Sequence, residues 1–435
     1  MIEPLDLWNK YLEPAFQSRA PTFREARHSQ EEDGVSDVVR QARFHYACAR
    51  QGLSPEAVQR ALDLSSPGFH NMEIDGELLL GPVAQRVWHR GAMQALVHYL
   101  PQMLAGYDAA SHVDTLRAMG VERAYLYPTK GLFLFAVDSL EPALTAALVR
   151  AYNDWLREFS AHAPEFLRGV GALCQHDPEQ MVSELERIAS WGWKAVMLRP
   201  NPVRGRMLSD PAHERFWTRC EELDVAVGVH EGTHARVPTL GSERFQTHFA
   251  RHVCSHPLEQ MTALLALIEG GVLERHPRLR VGFLEAGCGW LPYWLSRMDA
   301  KYADVKWEVR DNVRMKPSDY FRRQCFITCE ASEPGIELVI DMVGEGCVLF
   351  GSDYPHVDHP PASARTAPCS CSGSLPRSPD GSSGTTAAAS TKGGAEASDS
   401  TPDTPPGPSP SGRGAIIAQP RPRPTSPRDS LGVKG

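Results

Sequence analysis

Histidine and carboxylate side chains recur at the ends of short apolar segments in the second half of the chain. His230 closes the segment VAVGVH, Glu285 closes LRVGFLE, and Asp353 closes CVLFGSD, with His356 three residues later. Imidazole and carboxylate groups hold divalent ions, which polarise a substrate oxygen or activate water. The pattern therefore predicts a metal-assisted site, provided that the fold brings these segments together.

Each of these residues also has a structural interpretation. A single histidine such as His230 is often a hydrogen-bonded core residue, and an aspartate such as Asp353 often caps the following helix. Glu285 ends an apolar segment and needs a partner, because burying an unpaired charge is costly. Three separate segment ends that carry such groups favour a shared site over three independent structural roles.

Three further polar residues are candidates for binding or catalysis. His176 follows the segment RGVGALCQ, and Arg199 lies in WKAVMLRP, so both could bind an acidic group of a substrate. His256, in CSHPLEQM, stands at the predicted start of a helix and is expected near the same site. The sequence leaves open whether His176 and Arg199 are exposed loop residues and whether His256 only caps its helix.

The segments that carry these residues alternate with helical patterns. Seven strands rich in Val, Leu, Ile and Phe are predicted, at 121–129, 168–175, 193–200, 225–232, 279–287, 325–330 and 347–353. Such alternation predicts an α/β protein whose parallel sheet is covered on both faces. Seven units in succession favour a (β/α)8 TIM-type barrel, in which active sites lie at the C-terminal ends of the strands. No GxGxxG motif follows the early strands, which argues against a doubly wound dinucleotide fold.

Composition divides the chain of 435 residues into three regions. Residues 1–105 are predicted to be a mostly helical N-terminal excursion of the barrel domain, and residues 106–360 the barrel itself. Residues 361–435 contain no Phe, Trp or Tyr and are rich in Ser, Pro, Gly, Ala and Thr. Such a segment cannot bury enough apolar surface to offset its ordering entropy, so a disordered tail is predicted.

The same composition excludes several classes of protein. No run of about 18 apolar residues occurs, so no membrane partner is expected. The net charge is −8 without a basic block in the predicted folded part, which argues against nucleic acid as a partner. The N-terminus lacks the features of a secretory signal, and the ten cysteines form no CxxC pair, so a cytoplasmic location with reduced thiols is expected.

Longer motifs resemble the amidohydrolase-2 family of metal-dependent barrel hydrolases and non-oxidative decarboxylases. The motifs are VHEG, HPLEQMTALLALIEGGVLERHPRLRVGFLEAGCGWLPYWLSRMD and VLFGSDYPH, and EPLDLWNKYLEP resembles the N-terminal segment of the family. The resemblance covers about residues 1–360. It implies one divalent ion, zinc or manganese, a small-molecule substrate and a homodimer.

The resemblance also implies roles for individual residues. His230 and Asp353 match metal ligands, and Asp353 also matches a base toward bound water or substrate. The decarboxylases of the family have a catalytic histidine where this chain has Glu285, which is left as an acid or base. His256 matches a recurrent position and is assigned to catalysis. His356 also matches a recurrent position and is assigned to substrate binding, together with His176 and Arg199, whose assignment rests on their places at the predicted strand ends.

Two departures from the family pattern lead to a further expectation. The first strand of the family ends in Asp-x-His just before the EP segment, whereas this sequence starts with Met1, Ile2, Glu3 and Pro4. After His359 the family continues through a closing helix, and here the Ser- and Pro-rich segment begins. A barrel without strand 1 and the last helix is therefore expected, with exposed sheet edges and a metal site that lacks one or two ligands.

Three functions remain as alternatives. The main expectation is a metal-dependent amidohydrolase-like hydrolase that acts on a small, anionic organic substrate. The first alternative is a non-oxidative decarboxylase on the same scaffold, which would release carbon dioxide without consuming water. The second alternative is an inactive remnant or binding scaffold, which would hold no stoichiometric metal.

Overall fold

A computed structural model describes residues 3–25, 70–81, 99–135, 137–230, 239–330 and 333–356, with single positions at 46, 49, 52, 54, 56 and 84. The predicted tail lies outside the described residues. So do most of the residues between 26 and 69, where much of the predicted helical excursion falls.

The described N-terminal residues include a small antiparallel sheet that the sequence analysis did not anticipate. Its strands are β1 (Thr22–Glu25), β2 (His70–Ile74) and β3 (Glu77–Leu78), and short helices lie at α1 (Leu7–Tyr11) and α2 (Leu100–Leu104). Asp75 and Gly76 connect β2 to β3 with φ angles of 50° and 80°. This is the Asp-Gly turn typical of a two-residue hairpin, so a sequence signal for it was present.

Each of the seven predicted strands contains an observed strand. They are β4 (Ala124–Leu126), β5 (Leu167–Gly169), β6 (Gly171–Ala172), β7 (Ala195–Leu198), β8 (Ala226–His230), β9 (Val281–Leu284), β10 (Cys325–Cys329) and β11 (Val348–Phe350). Only Val170 separates β5 from β6, and the predicted strand 168–175 covers both except Leu167. The four residues of β7 are all buried, which is why these segments are continuously apolar instead of alternating with polar residues.

The strands follow their chain order across the sheet. β6 to β11 form one parallel sheet in sequence order, and β4 pairs in parallel with β5. Each new strand is added on the same side of the previous one. With right-handed connections this order places all the helices on one face of the sheet, as in a barrel, whereas a doubly wound sheet carries helices on both faces. Among the described residues no strand joins β4 to β11, so the observed architecture is α/β without a closed barrel.

Helices separate the strands. They are α3 (Ala109–Ala118), α4 (Lys130–Phe135), α5 (Pro142–Ser160), α6 (Pro178–Ser190), α7 (Glu214–Glu222), α8 (His248–Glu269), α9 (Val272–Arg275), α10 (Leu291–Val305), α11 (Pro317–Gln324) and α12 (Ile336–Val343), with 3-10 turns at Pro14–Arg19, Pro211–His213 and Glu345–Cys347. Their apolar faces pack on the sheet around buried Phe216, Trp217, Phe283 and Phe321. In the part of the chain that is described, no helix has the length and apolar character needed to cross a membrane.

The start of α8 differs from the prediction. Helix α8 begins at His248, where the Thr247 hydroxyl accepts the Ala250 amide at 3.2 Å, and Pro257 lies within the helix. Proline favours the first turn of a helix, which is why the sequence suggested a start beside Pro257. The placement of His256 at the start of the helix is therefore wrong, because this residue lies two turns further along.

Candidate metal centre

Three side chains with metal-ligating atoms meet at the carboxyl ends of two strands. Glu285 follows β9, and both Asp353 and His356 follow β11. One ligand atom from each residue lies within 4.8 Å of the other two. Two carboxylates and one imidazole suit a divalent zinc or manganese ion. The chemistry and spacing of this metal group, Glu285–Asp353–His356, therefore fit the ion that the sequence motifs imply.

Two residues of the metal group have an unusual backbone conformation. The φ angle is 50° at Glu285 and 46° at Asp353, a left-handed conformation that is uncommon outside glycine and clusters at functional sites. His230 pairs with Leu284 across β8 and β9, so a regular strand would turn the next residue, Glu285, to the opposite face. The left-handed bend ends this alternation and lets the Glu285 carboxylate reach His230.

His230 lies beside the metal group at the end of β8. Its Nε2 atom is 2.7 Å from Oε2 of Glu285, and its ring packs on Tyr127 with 5.6 Å between ring centroids. Burial alone would raise the pKa of Glu285, but the imidazoles of His230, His256 and His356 together hold it below its usual value. Glu285 is therefore an anion at neutral pH.

His356, which follows β11, contacts both Asp353 and a residue that follows β4. Nδ1 of His356 is 2.8 Å from Oδ1 of Asp353, and Nε2 of His356 is 3.0 Å from the hydroxyl of Thr129, just after β4. Burial lowers the pKa of His356, but the Asp353 carboxylate outweighs it and leaves the pKa above its usual value. The contact between Thr129 and His356 brings the ends of β4 and β11 together.

Glu3 supports this contact from the N-terminal segment. Its carboxylate, in a residue that is 3% exposed, accepts the backbone amides of Thr129 at 2.9 Å, Lys130 at 3.0 Å and Gly131 at 3.1 Å. Hydrogen bonds to a charged acceptor are among the stronger ones in proteins. Glu3 therefore fixes the loop that presents Thr129 to His356.

His256 reaches the metal group from α8. Its Nδ1 atom is 2.7 Å from the main-chain oxygen of Glu285, and its ring stacks on His252 with 4.5 Å between centroids. Because a carbonyl oxygen only accepts, Nδ1 carries the proton of this hydrogen bond. The structure therefore places His256 next to Glu285, and the hydrogen bond to Glu285 and the stacking on His252 together fix the orientation of the His256 ring.

His176 and Arg199 hold loops together at the ends of β6 and β7. Nε2 of His176 donates to the Val137 carbonyl at 2.8 Å. The Arg199 guanidinium pairs with Asp138 and donates to the Pro202 carbonyl at 3.3 Å. Burial is the main cause that lowers the pKa of His176. These contacts are with neighbouring loops, and a role of His176 and Arg199 in substrate binding stays a prediction.

Gly228 in β8 has no side chain, and this leaves the space that the Tyr127 ring occupies beside His230. A Cβ atom at Gly228 would lie 2.6 Å from the Tyr127 hydroxyl and 3.0 Å from Leu284 Cδ1. We expect Gly228→Ala to displace Tyr127 and to lower the free energy of unfolding by about 1–3 kcal/mol, measured by urea denaturation. Tyr127→Phe removes the hydroxyl and leaves a ring atom 3.2 Å away, so the double variant should recover part of the loss. An equal loss in both backgrounds would contradict this packing.

The sequence profile of the Amidohydro_2 amidohydrolase family matches residues 128–367. The chain belongs to this family. The matched range contains the whole metal group as well as His230 and His256.

Curated relatives of this chain are mainly decarboxylases. It is 26% identical to a 2-amino-3-carboxymuconate-6-semialdehyde decarboxylase of Dictyostelium discoideum. The aligned 210 residues cover 48% of this chain and 56% of the relative. It is 27% identical to a gamma-resorcylate decarboxylase of Rhizobium sp.. The aligned 233 residues cover 49% of this chain and 67% of the relative. The chain thus spans little more than half of the first relative and two thirds of the second.

Solved structures share the fold of this family member. An amidohydrolase from Mycobacterium avium subsp. paratuberculosis has a TM-score of 0.57 and 20% identity over 84% of this chain and 91% of that chain. A 5-carboxyvanillate decarboxylase from Novosphingobium aromaticivorans, which holds manganese, has a TM-score of 0.50 and 22% identity over 59% of this chain and 73% of that chain. At these identities the likeness establishes the fold.

Proposed function

We propose that this protein is a metal-dependent, non-oxidative decarboxylase of a small organic acid. The observation that carries the proposal is the metal group, Glu285, Asp353 and His356, with His230 and His256 in contact with it. The decarboxylase relatives support this alternative over the hydrolase that the sequence analysis put first. A cytoplasmic location and a homodimer are part of the same proposal.

The proposed ion would be held by the metal group, with His230 as a fourth candidate ligand. Sequence analysis assigned His230 and Asp353 to the metal, Glu285 to acid–base chemistry and His356 to substrate binding. The geometry favours moving Glu285 and His356 into the ligand set, because their ligand atoms are the ones that converge with Asp353. When bound, the ion polarises a substrate oxygen. Manganese in a solved decarboxylase of this fold supports that metal over zinc.

The residues of the chain must bind the acid and supply a proton. In decarboxylation the bond between the carboxylate and its carbon breaks, and the electron pair stays on that carbon. A proton then bonds to the carbon, so one proton is consumed for each carbon dioxide released. Nε2 of His256 is the proposed donor, because the Nδ1 proton is held by the Glu285 carbonyl and the stacking on His252 fixes the ring beside Glu285. His176 and Arg199 are proposed to bind an anionic group of the substrate.

A direct test loads the full chain with manganese and offers it hydroxybenzoates, beginning with gamma-resorcylate, in deuterium oxide. We expect carbon dioxide and the decarboxylated product in equal amounts, with one deuterium at the carbon that lost the carboxylate. Chelation of the metal should abolish the reaction, and manganese should restore it. Product that gains oxygen from labelled water without carbon dioxide would favour the hydrolase instead. Less than stoichiometric metal on the chain would favour the inactive remnant.

A further inference from the structure

A carboxylate outside the metal group holds the turn that follows Glu285. Oε1 of Glu333 accepts the backbone amide of Cys288 at 2.5 Å and that of Gly289 at 3.1 Å. Glu333 lies in the segment after β10, whereas the turn follows β9, so the two loops are joined side by side. A carboxylate that accepts consecutive amides occupies the kind of anion-binding concavity that backbone amides form at turns.

The turn is built around this carboxylate. Gly287 has a φ angle of 67°, and a Cβ atom at that position would lie 2.7 Å from Oε1 of Glu333. Glu285, two residues earlier, also has a left-handed conformation. The two left-handed residues direct the amides of Cys288 and Gly289 toward a single acceptor, and no residue larger than glycine fits at 287 while Glu333 stays in place.

Thr328 holds the other side of Glu285. The backbone amide of Glu285 donates to the Thr328 hydroxyl at 3.1 Å, and this hydroxyl is 3.4 Å from the Phe283 carbonyl. Strand β10 therefore contacts the backbone at Glu285, and the loop after β10 contacts the turn three to four residues later. A left-handed glutamate persists only when its surroundings enforce it, and Thr328, His256 and the turn held by Glu333 surround the bend at Glu285.

We propose that Glu333 is a positioning residue, which holds Glu285 in the left-handed conformation that aims its carboxylate at the metal group. The inference rests on the proposed function for the role of Glu285 and extends it to a residue that touches neither metal nor substrate. Removal of the Glu333 carboxylate takes the shared acceptor away from the amides of Cys288 and Gly289. The turn after Glu285 then loses its anchor, and the direction of the Glu285 carboxylate is no longer fixed from that side.

The test compares three variants of the full chain with wild type. Manganese is titrated into each protein, and its binding is measured by electron paramagnetic resonance. Glu333→Ala should weaken manganese binding by about 10–100-fold, the usual loss when a group supporting a ligand is removed. Glu333→Gln keeps an oxygen acceptor and should stay close to wild type. Asp299→Ala is the matched control, because Asp299 also accepts two hydrogen bonds from one short segment. They come from the Ser318 amide at 2.9 Å and from the Ser318 hydroxyl at 2.6 Å. It should lower stability but leave manganese affinity unchanged.

Backbone amide exchange gives a second readout that needs neither metal nor activity. Glu333→Ala should speed exchange at Cys288 and Gly289, and Glu333→Gln should not. Exchange in Glu333→Ala equal to wild type would overturn the inference, as would equal manganese affinity or equal losses in Glu333→Ala and Asp299→Ala. If the wild-type chain binds no manganese, the proposed function fails, and amide exchange alone then tests whether Glu333 holds the turn at Cys288 and Gly289.

Discussion

Asp353→Asn should abolish the proposed decarboxylation and weaken manganese binding by at least about 100-fold, the upper end of what loss of a supporting group alone costs. The substitution removes a negative charge that faces His356 at 2.8 Å and converges with Glu285. Asparagine has nearly the same size as aspartate and also tolerates a left-handed backbone, so the loss would report the charge and not the fold. Manganese titration and carbon dioxide release measure the two effects.

Asp224→Asn is the matched control for this prediction. Asp224 also has a left-handed backbone, with φ of 54°, and its exposed carboxylate pairs with Arg280 at 2.6 Å at the start of β8. A surface ion pair contributes about 0–1 kcal/mol, so this variant should keep wild-type manganese affinity and nearly wild-type stability. Wild-type manganese affinity in Asp353→Asn would remove Asp353 from the ligand set and with it the basis of the proposed function.

Glu3→Ala should lower the free energy of unfolding by about 3 kcal/mol or more. Three backbone amides, those of Thr129, Lys130 and Gly131, lose their charged acceptor, and each buried donor left without a partner costs about 1–3 kcal/mol. The loop would also lose its hold on Thr129, so the contact with His356 should weaken and the activity should fall. Urea denaturation of the full chain measures the loss of stability.

Two companion variants define what this loss means. Glu13→Ala removes a carboxylate from the same segment that pairs with Arg150 at 2.6 Å, and its side chain is 45% exposed, so it should cost less than about 1 kcal/mol. Glu3→Gln keeps one acceptor oxygen but turns an amide group toward a backbone donor, so it should fall between wild type and Glu3→Ala. A loss in Glu3→Ala as small as that in Glu13→Ala would contradict the role assigned to Glu3.

The sequence predicts the part of this fold that depends on local patterns. The strands are recognisable because segments such as β7 are buried at every position. Residues at their ends, such as His230 and Asp353, follow from the rule that the chemistry of such folds lies at the carboxyl ends of the strands. The family resemblance is confirmed by the profile match.

The remaining features depend on contacts that local patterns do not encode. Glu3 meets Thr129 across 126 residues, and Glu333 meets Cys288 across 45 residues. The bend at Glu285 is equally hidden, because a glutamate at a strand end does not indicate a left-handed backbone. The start of α8 was missed because Pro257 resembles a first-turn residue.

The contact between Thr129 and His356 has a consequence for the order in which the chain folds. These two residues are 227 positions apart, and loop-closure entropy delays pairings of such separation. Residues after β9 and β11 supply the metal group, and a residue after β4 contacts it, so the complete centre exists only when the ends of β4 and β11 have met. An ion that binds this finished centre stabilises the native state alone by mass action. The long-range contact that completes the fold around β4 and β11 is therefore also the contact that completes the proposed metal centre.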